Sequence, residues 1–186
     1  MDKIGALTAE APSLPAASTR GPSFTWRGLL YGGLTVGVLD GTEACLFYGA
    51  WPSRVFRSVA GVLIGRETAL AGGPEILTLG LAMHFTVAFS IVAVYLLLSR
   101  ALPALHRYAV PVGMVYGLCA LYAMQWIVVP AMRGQPNSQL WPEIINGILG
   151  HMFLVGLPAA LWARWAYNKR KQAATMSVGA SAPANR

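Results

Sequence analysis

Charge is what this sequence has least of. Asp, Glu, Lys and Arg make up 11% of its 186 residues, against about 25% in soluble domains. A soluble chain so short of charge could not cover its own surface, so the scarcity points to lipid as the solvent. Cysteine is nearly absent too. Cys45 and Cys119 both sit in apolar runs, and neither belongs to a Cys-x-x-Cys pair. That excludes a disulfide framework, a zinc knuckle and a thiol-redox motif, and leaves two small apolar residues expected to be buried. Motifs of catalysis are missing as well. There is no Gly-x-Ser-x-Gly, no His-Glu-x-x-His and no Gly-rich loop following a strand. No catalytic residue is therefore assigned. The first 25 residues lack the early apolar core of a cleavable signal peptide.

What is present is hydrophobic length. Hydrophobic residues account for 55% of the chain, and a spanning helix needs about 20 mostly apolar residues. Four runs qualify, at about 27–50, 75–99, 108–131 and 143–166. The expected fold class is all-α: an integral membrane four-helix bundle spanning 26–168. The segments 1–25 and 169–186 are expected to be tails, the second basic at its start. Both are rich in small residues without apolar periodicity, which predicts disorder. Between the first two spans, Val55, Phe56, Val59, Val62 and Leu63 recur at helical spacing, while Arg54, Arg57 and Ser58 take the other positions. This predicts a short amphipathic helix over about 52–65, lying in the membrane interface.

Basic residues set the orientation. Lys3, Arg20, Arg27, Arg100, Arg107, Arg164, Lys169, Arg170, Lys171 and Arg186 fall on the side of the termini; Arg54, Arg57, Arg66 and Arg133 fall on the other. The positive-inside rule then predicts cytoplasmic N- and C-termini. The run Lys169-Arg170-Lys171 is a topology signal and a headgroup contact; no nucleic-acid partner is expected. Trp26, Trp51, Trp141, Trp162 and Trp165 fall near the ends of the runs, as in an aromatic belt.

The two halves echo each other. Pro74-Glu75-Ile76 opens the second run and Gly80 and His84 follow; Pro142-Glu143-Ile144 opens the fourth, and Gly147 and His151 follow. In the odd-numbered runs Tyr31-Gly32 answers Tyr116-Gly117, and nine residues after each tyrosine stands a polar residue, Asp40 or Gln125. A duplicated hairpin would give two parallel repeats about an axis along the membrane normal.

Ionisable residues inside a bilayer are expensive, so each requires an account. Asp40, Glu43, His84 and His151, with neutral Gln125 and Asn146, are the candidates. At 1.5 Å per residue, Asp40, Glu43, His84, Gln125 and His151 lie about 9–15 Å below the outer edge of their runs, in one layer. Gly33, Gly37 and Gly41 form a stripe suited to close helix packing. Asp40 follows Gly37 by three residues, His84 follows Gly80 by four, and His151 follows Gly147 by four. The polar groups are thus expected to face into the bundle. Three roles fit them. They can lock the helices together, handle protons or cations, or hold a transition metal or haem, with His84 and His151 as ligands. No cofactor is predicted outright. Pro130 and Pro158 are expected to kink or end their helices.

Gly37-x-x-Asp40, Gly80-x-x-x-His84-Phe85 and His151-Met152-x-x-Val155-Gly156-Leu157-Pro158 together resemble a group of small bacterial inner-membrane proteins with no assigned activity. The resemblance covers roughly 28–165. It implies a bacterial cytoplasmic membrane and four spans, and transfers no catalytic role. The functional expectation is a non-enzymatic accessory or scaffolding subunit of a membrane complex, or a homo-oligomer. A small proton- or cation-coupled transporter and a haem- or metal-binding redox protein are the alternatives.

Overall fold

A computed structural model describes residues 26–133 and 140–180. The expected tail 1–25 and the last six residues of the other tail lie outside the described residues. Those described are helical and turn segments, without strands. Helix α1 is Trp26–Phe47, α2 Pro52–Ile64, α3 Arg66–Ala71, α4 Pro74–Ala101, α5 Ala104–Arg107 and α6 Ala109–Ala123. A π-helical stretch, Met124–Val128, joins α6 to α7 (Val129–Arg133). A second, His151–Gly156, joins α8 (Trp141–Gly150) to α9 (Leu157–Ala180).

Three helices are long and apolar enough to cross a membrane: Pro74–Ala101, Ala109–Met132 and Trp141–Met176. Helix α1 has 22 residues, but it carries Asp40 and Glu43 in its second half and is less apolar. Helix α9 runs on through Lys169-Arg170-Lys171 to Ala180, where composition predicts disorder. Lys, Arg, Gln and Ala are strong helix formers, and no Gly or Pro interrupts them before Gly179.

The packing is inverted relative to a soluble protein. The core is small and includes Val36, Ala88, Val92, Tyr95, Ala109, Val155, Ala159, Ala160 and Ala163. The outside carries large apolar side chains: Leu34, Val38, Val94, Leu97, Val115 and Ile127 are all exposed. Apolar surface on this scale needs a non-aqueous partner. Small residues inside let helices approach where no hydrophobic drive pulls them together.

Helix α1 packs against α4 and α9, and α6 packs against α9 and the second π stretch. Much of this contact is backbone on ring or backbone on backbone. A Cβ at Gly37 would lie 2.5 Å from Phe85 Cε1, and one at Gly33 would overlap the ring of Phe89. A Cβ at Gly80 would strike the Phe56 carbonyl of α2. Gly156 lies against Gly113 and Gly117, so that any side chain there would strike the Gly113 carbonyl. Helix α2 therefore packs tightly onto the start of α4, and its Phe56 ring reaches His84. The turn between α2 and α3 uses Gly65 at φ 88°, a backbone region that side chains disfavour.

The repeated Pro-Glu-Ile segments share a local cause. Proline sits in the first turn of both α4 and α8, where its missing N–H is no loss. The following glutamate reaches back to a free backbone N–H. Gly73 donates to Glu75 Oε1 at 2.9 Å, and Leu140 donates to Glu143 Oε2 at 3.2 Å.

The prolines inside the long helices end neither of them. Each comes two residues after a π stretch, Pro130 after Val128 and Pro158 after Gly156. A proline ring clashes with the carbonyl four residues earlier. Those carbonyls, of Trp126 and Leu154, both lie in the widened turns, which move them aside. Of the two cysteines, Cys45 is half-buried, whereas Cys119 is exposed on α6, where an apolar outer face accepts it as readily as a core would.

His106 on α5 is 8% exposed, stacked on Tyr167 at 4.2 Å, and its Nδ1 has no hydrogen-bond partner. Burial holds its pKa below the ordinary 6.5, partly offset by a backbone hydrogen bond at Ser99. The unfolded chain therefore takes up the proton first as pH falls. Stability is full above about pH 6.5 and declines as pH drops through the folded pKa. Melting in mild detergent between pH 8 and 5 should show this decline, and His106→Phe, which keeps the ring stack, should flatten it. Separately, Gly156→Ala should destabilise by about 1–3 kcal/mol through overpacking. Gly147→Ala should be neutral or slightly stabilising, because its nearest neighbour, Leu121, leaves ordinary van der Waals room at 3.5 Å.

Candidate functional site

The polar residues gather around the second half of α1. A helix turns about 100° per residue, so Asp40 and Glu43 sit some 60° apart and face different neighbours. Asp40 meets α4, where His84 Nδ1 stands 4.0 Å from its Oδ2. Glu43 meets α8, where Asn146 Nδ2–H donates to its Oε1 at 2.5 Å. Each contact ties α1 to a different helix.

His84 is fixed from several sides. Its Nε2 lies 2.8 Å from the Gly37 carbonyl. A carbonyl only accepts, so Nε2 carries the hydrogen and donates. Phe56 and Phe85 pack edgewise on the ring, with centroids at 5.3 and 5.4 Å. Gly41 makes the approach possible, since a Cβ there would stand 3.3 Å from Nε2. With Nε2–H committed, Nδ1 is left facing the Asp40 carboxylate. The contact brings an imidazole of α4 beside a carboxylate of α1.

His151 is engaged differently. It opens the second π stretch, and its Nδ1 donates to the Gly147 carbonyl of its own helix at 3.0 Å. Its backbone carbonyl lies where a Cβ at Gly117 would stand, so this is where α6 and the π stretch touch. Glu43 is close enough to both Asp40 and His151 to interact with them electrostatically, and its carboxylate lies near Gly150. A string therefore runs from His84 through Asp40 and Glu43 to His151 and Asn146. Gln125 stands half-buried in the first π stretch.

The glycines divide by what they touch. Gly33 and Gly37 receive phenylalanine rings, Gly41 receives Phe56 and His84, and Gly80 receives the backbone of α2. Gly147 has only Leu121 nearby. Gly113, Gly117 and Gly156 form a further close contact that the α1 stripe does not include, and Gly113-x-x-x-Gly117 is itself a small-residue packing spacing.

As for metal or haem, His84 and His151 are engaged separately, one on α1 and the other on its own helix. Among the described residues no group of three or more His, Cys, Asp or Glu could hold a metal ion.

The Glu43–Asn146 contact should be measurable. A double-mutant cycle with Glu43→Ala and Asn146→Ala, read by unfolding in detergent, should give a coupling of about 0.5–2 kcal/mol, the range of interhelical hydrogen bonds in membranes. Glu43→Gln should keep most of it, since an amide oxygen still accepts from Asn146. Coupling near zero would show that the contact carries no stability. No family model, curated protein or solved structure matches the sequence.

Proposed function

We propose that the chain is a four-span helical bundle of a bacterial cytoplasmic membrane, with both ends in the cytoplasm. We further propose that it acts without catalysis, as an accessory or scaffolding subunit of a membrane complex or as a homo-oligomer. The observation that carries this reading is the use of the polar side chains. His84 and Asn146 are turned onto α1 and bonded there, and His151 is bonded within its helix. Such bonding is how polar groups hold helices together in lipid.

Helix α1 supplies the fourth span. Its outward face carries exposed Leu30, Leu34, Val38 and Leu39, while its inward face is glycine. Asp40 and Glu43 lower its mean hydropathy, yet they turn towards α4 and α8 rather than outwards. The distribution of Lys and Arg supports cytoplasmic ends. The matched caps of α4 and α8 support a two-hairpin repeat, and the amphipathic α2 fits the outer interface.

Extraction from native membranes in mild detergent, followed by native mass spectrometry, tests the proposal. The expected result is an oligomer or a stoichiometric complex. A lone monomer without partners overturns it.

One observation favours a second reading, proton or cation handling: an imidazole and a carboxylate from two helices meet within a span, His84 Nδ1 standing 4.0 Å from Asp40 Oδ2. On that reading the protein in liposomes carries a pH-dependent flux that Asp40→Asn or His84→Ala abolishes. No flux in the wild type, or unchanged flux in the variants, removes it.

A further inference from the structure

Helices α1 and α9 run antiparallel and touch closely at one end. A Cβ at Gly28 would lie 2.9 Å from Ala166 Cβ, and one at Gly32 would lie 3.4 Å from Trp162 Cβ. Beside this contact is a groove of about 550 Å³, within the range typical of small-molecule sites. Tyr31 and Thr35 form one wall, and Pro158, Leu161, Trp162 and Trp165 form the other.

The walls are set in place by their own contacts. Tyr31 lies 5.3 Å from Trp162 and 6.3 Å from Trp165 between ring centroids, and the two indoles lie 5.3 Å apart. Trp162 Nε1–H donates to Thr35 Oγ1 at 3.0 Å. The indole hydrogen is thereby satisfied, and what the groove offers an occupant is ring face and aliphatic carbon. A preformed apolar site of this kind loses little entropy on filling.

One end of the groove is charged. Arg27 lies one turn before Tyr31 on α1, and Lys169 lies one turn after Trp165 on α9. Residues four apart share a helix face, so both cations extend the walls of the groove. Because Gly28 abuts Ala166, both stand at the same end, and both are exposed.

We infer that this groove binds one anionic phospholipid, its acyl chain along the aromatic wall and its phosphate between Arg27 and Lys169. The inference rests on the four-span reading, which puts α1 and α9 side by side in the bilayer with the charged end in the leaflet of the termini. A phosphate diester complements the two cations at that end of the groove, whereas an uncharged occupant does not.

Tryptophan quenching tests it with the full chain reconstituted in vesicles. Phosphatidylglycerol or phosphatidylcholine with brominated acyl chains serves as the probe, at equal mole fraction in an unbrominated phosphatidylcholine background. The contribution of Trp165 is isolated by difference against Trp165→Phe. Two basic side chains should give phosphatidylglycerol a preference of about tenfold or more at Trp165. Arg27→Gln with Lys169→Gln should reduce that preference to about one while phosphatidylcholine still quenches. Equal quenching of the wild type by both lipids overturns the anionic site but leaves the membrane reading standing. Absence of Trp165 quenching by either lipid overturns both. A dimer in the native mass spectrum, without lipid preference, assigns the groove to a second copy and also overturns the inference.

Discussion

Helix α1 lets its neighbours approach its backbone rather than its side chains, and the arrangement of the other helices follows from that. In lipid, apolar side chains gain nothing by turning from solvent to protein, so helices associate through close van der Waals fit. Gly33 and Gly37 leave hollows that the rings of Phe89 and Phe85 fill, and Gly41 leaves room for Phe56 and His84. Nearer its start, Gly28 and Gly32 admit Ala166 and Trp162 of α9 and Val92 of α4. The same device recurs away from α1, where Gly113, Gly117 and Gly156 bring α6 against the second π stretch. Only at such short range can the hydrogen bond from His84 reach the α1 backbone, so that polar contact depends on the glycine hollows.

Where His84 sits also decides what it can do chemically. Its Nε2–H is held by a backbone carbonyl, an acceptor that does not titrate. The other ring nitrogen, Nδ1, faces Asp40. Edgewise phenylalanines on two sides limit rotation of the ring. A scaffold gains rigidity from this arrangement, and a proton carrier would gain a defined direction. The two readings share one geometry.

Much of this was legible in the residues and some was not. Long apolar runs marked the helices, although Asp40 and Glu43 left α1 less apolar than the other three. The spacing of Gly33, Gly37 and Gly41 marked a packing face, and Pro-Glu-Ile marked two helix starts. Periodicity gives the face of a residue but not its partner. The bond between Asn146 and Glu43 spans 103 residues of sequence, and nothing local announces it. Gly147 and Gly156 look alike as letters, yet one has room and the other has none, because only the three-dimensional path decides which meets a backbone. The π stretches were hidden for a related reason. A proline signals conflict with the preceding turn, but whether the helix bends, stops or widens depends on what surrounds it. The aromatic groove needs α1 and α9 side by side, and their antiparallel register was not readable from either run alone.

The two widened turns carry a consequence for how this chain can vary. Each holds one residue more than regular helical winding allows, and one residue corresponds to about 100° of rotation. The proline downstream and the surplus residue upstream are thus a matched set. With Pro158 replaced by alanine, the surplus residue loses its reason, and regular winding would turn everything beyond it out of phase with α1 and α6. With the surplus residue deleted instead, the proline would meet the Leu154 carbonyl. Either change alone is disruptive, whereas the two together restore an ordinary helix in the original phase. Natural or engineered forms of this chain should therefore gain or lose proline and residue as one event.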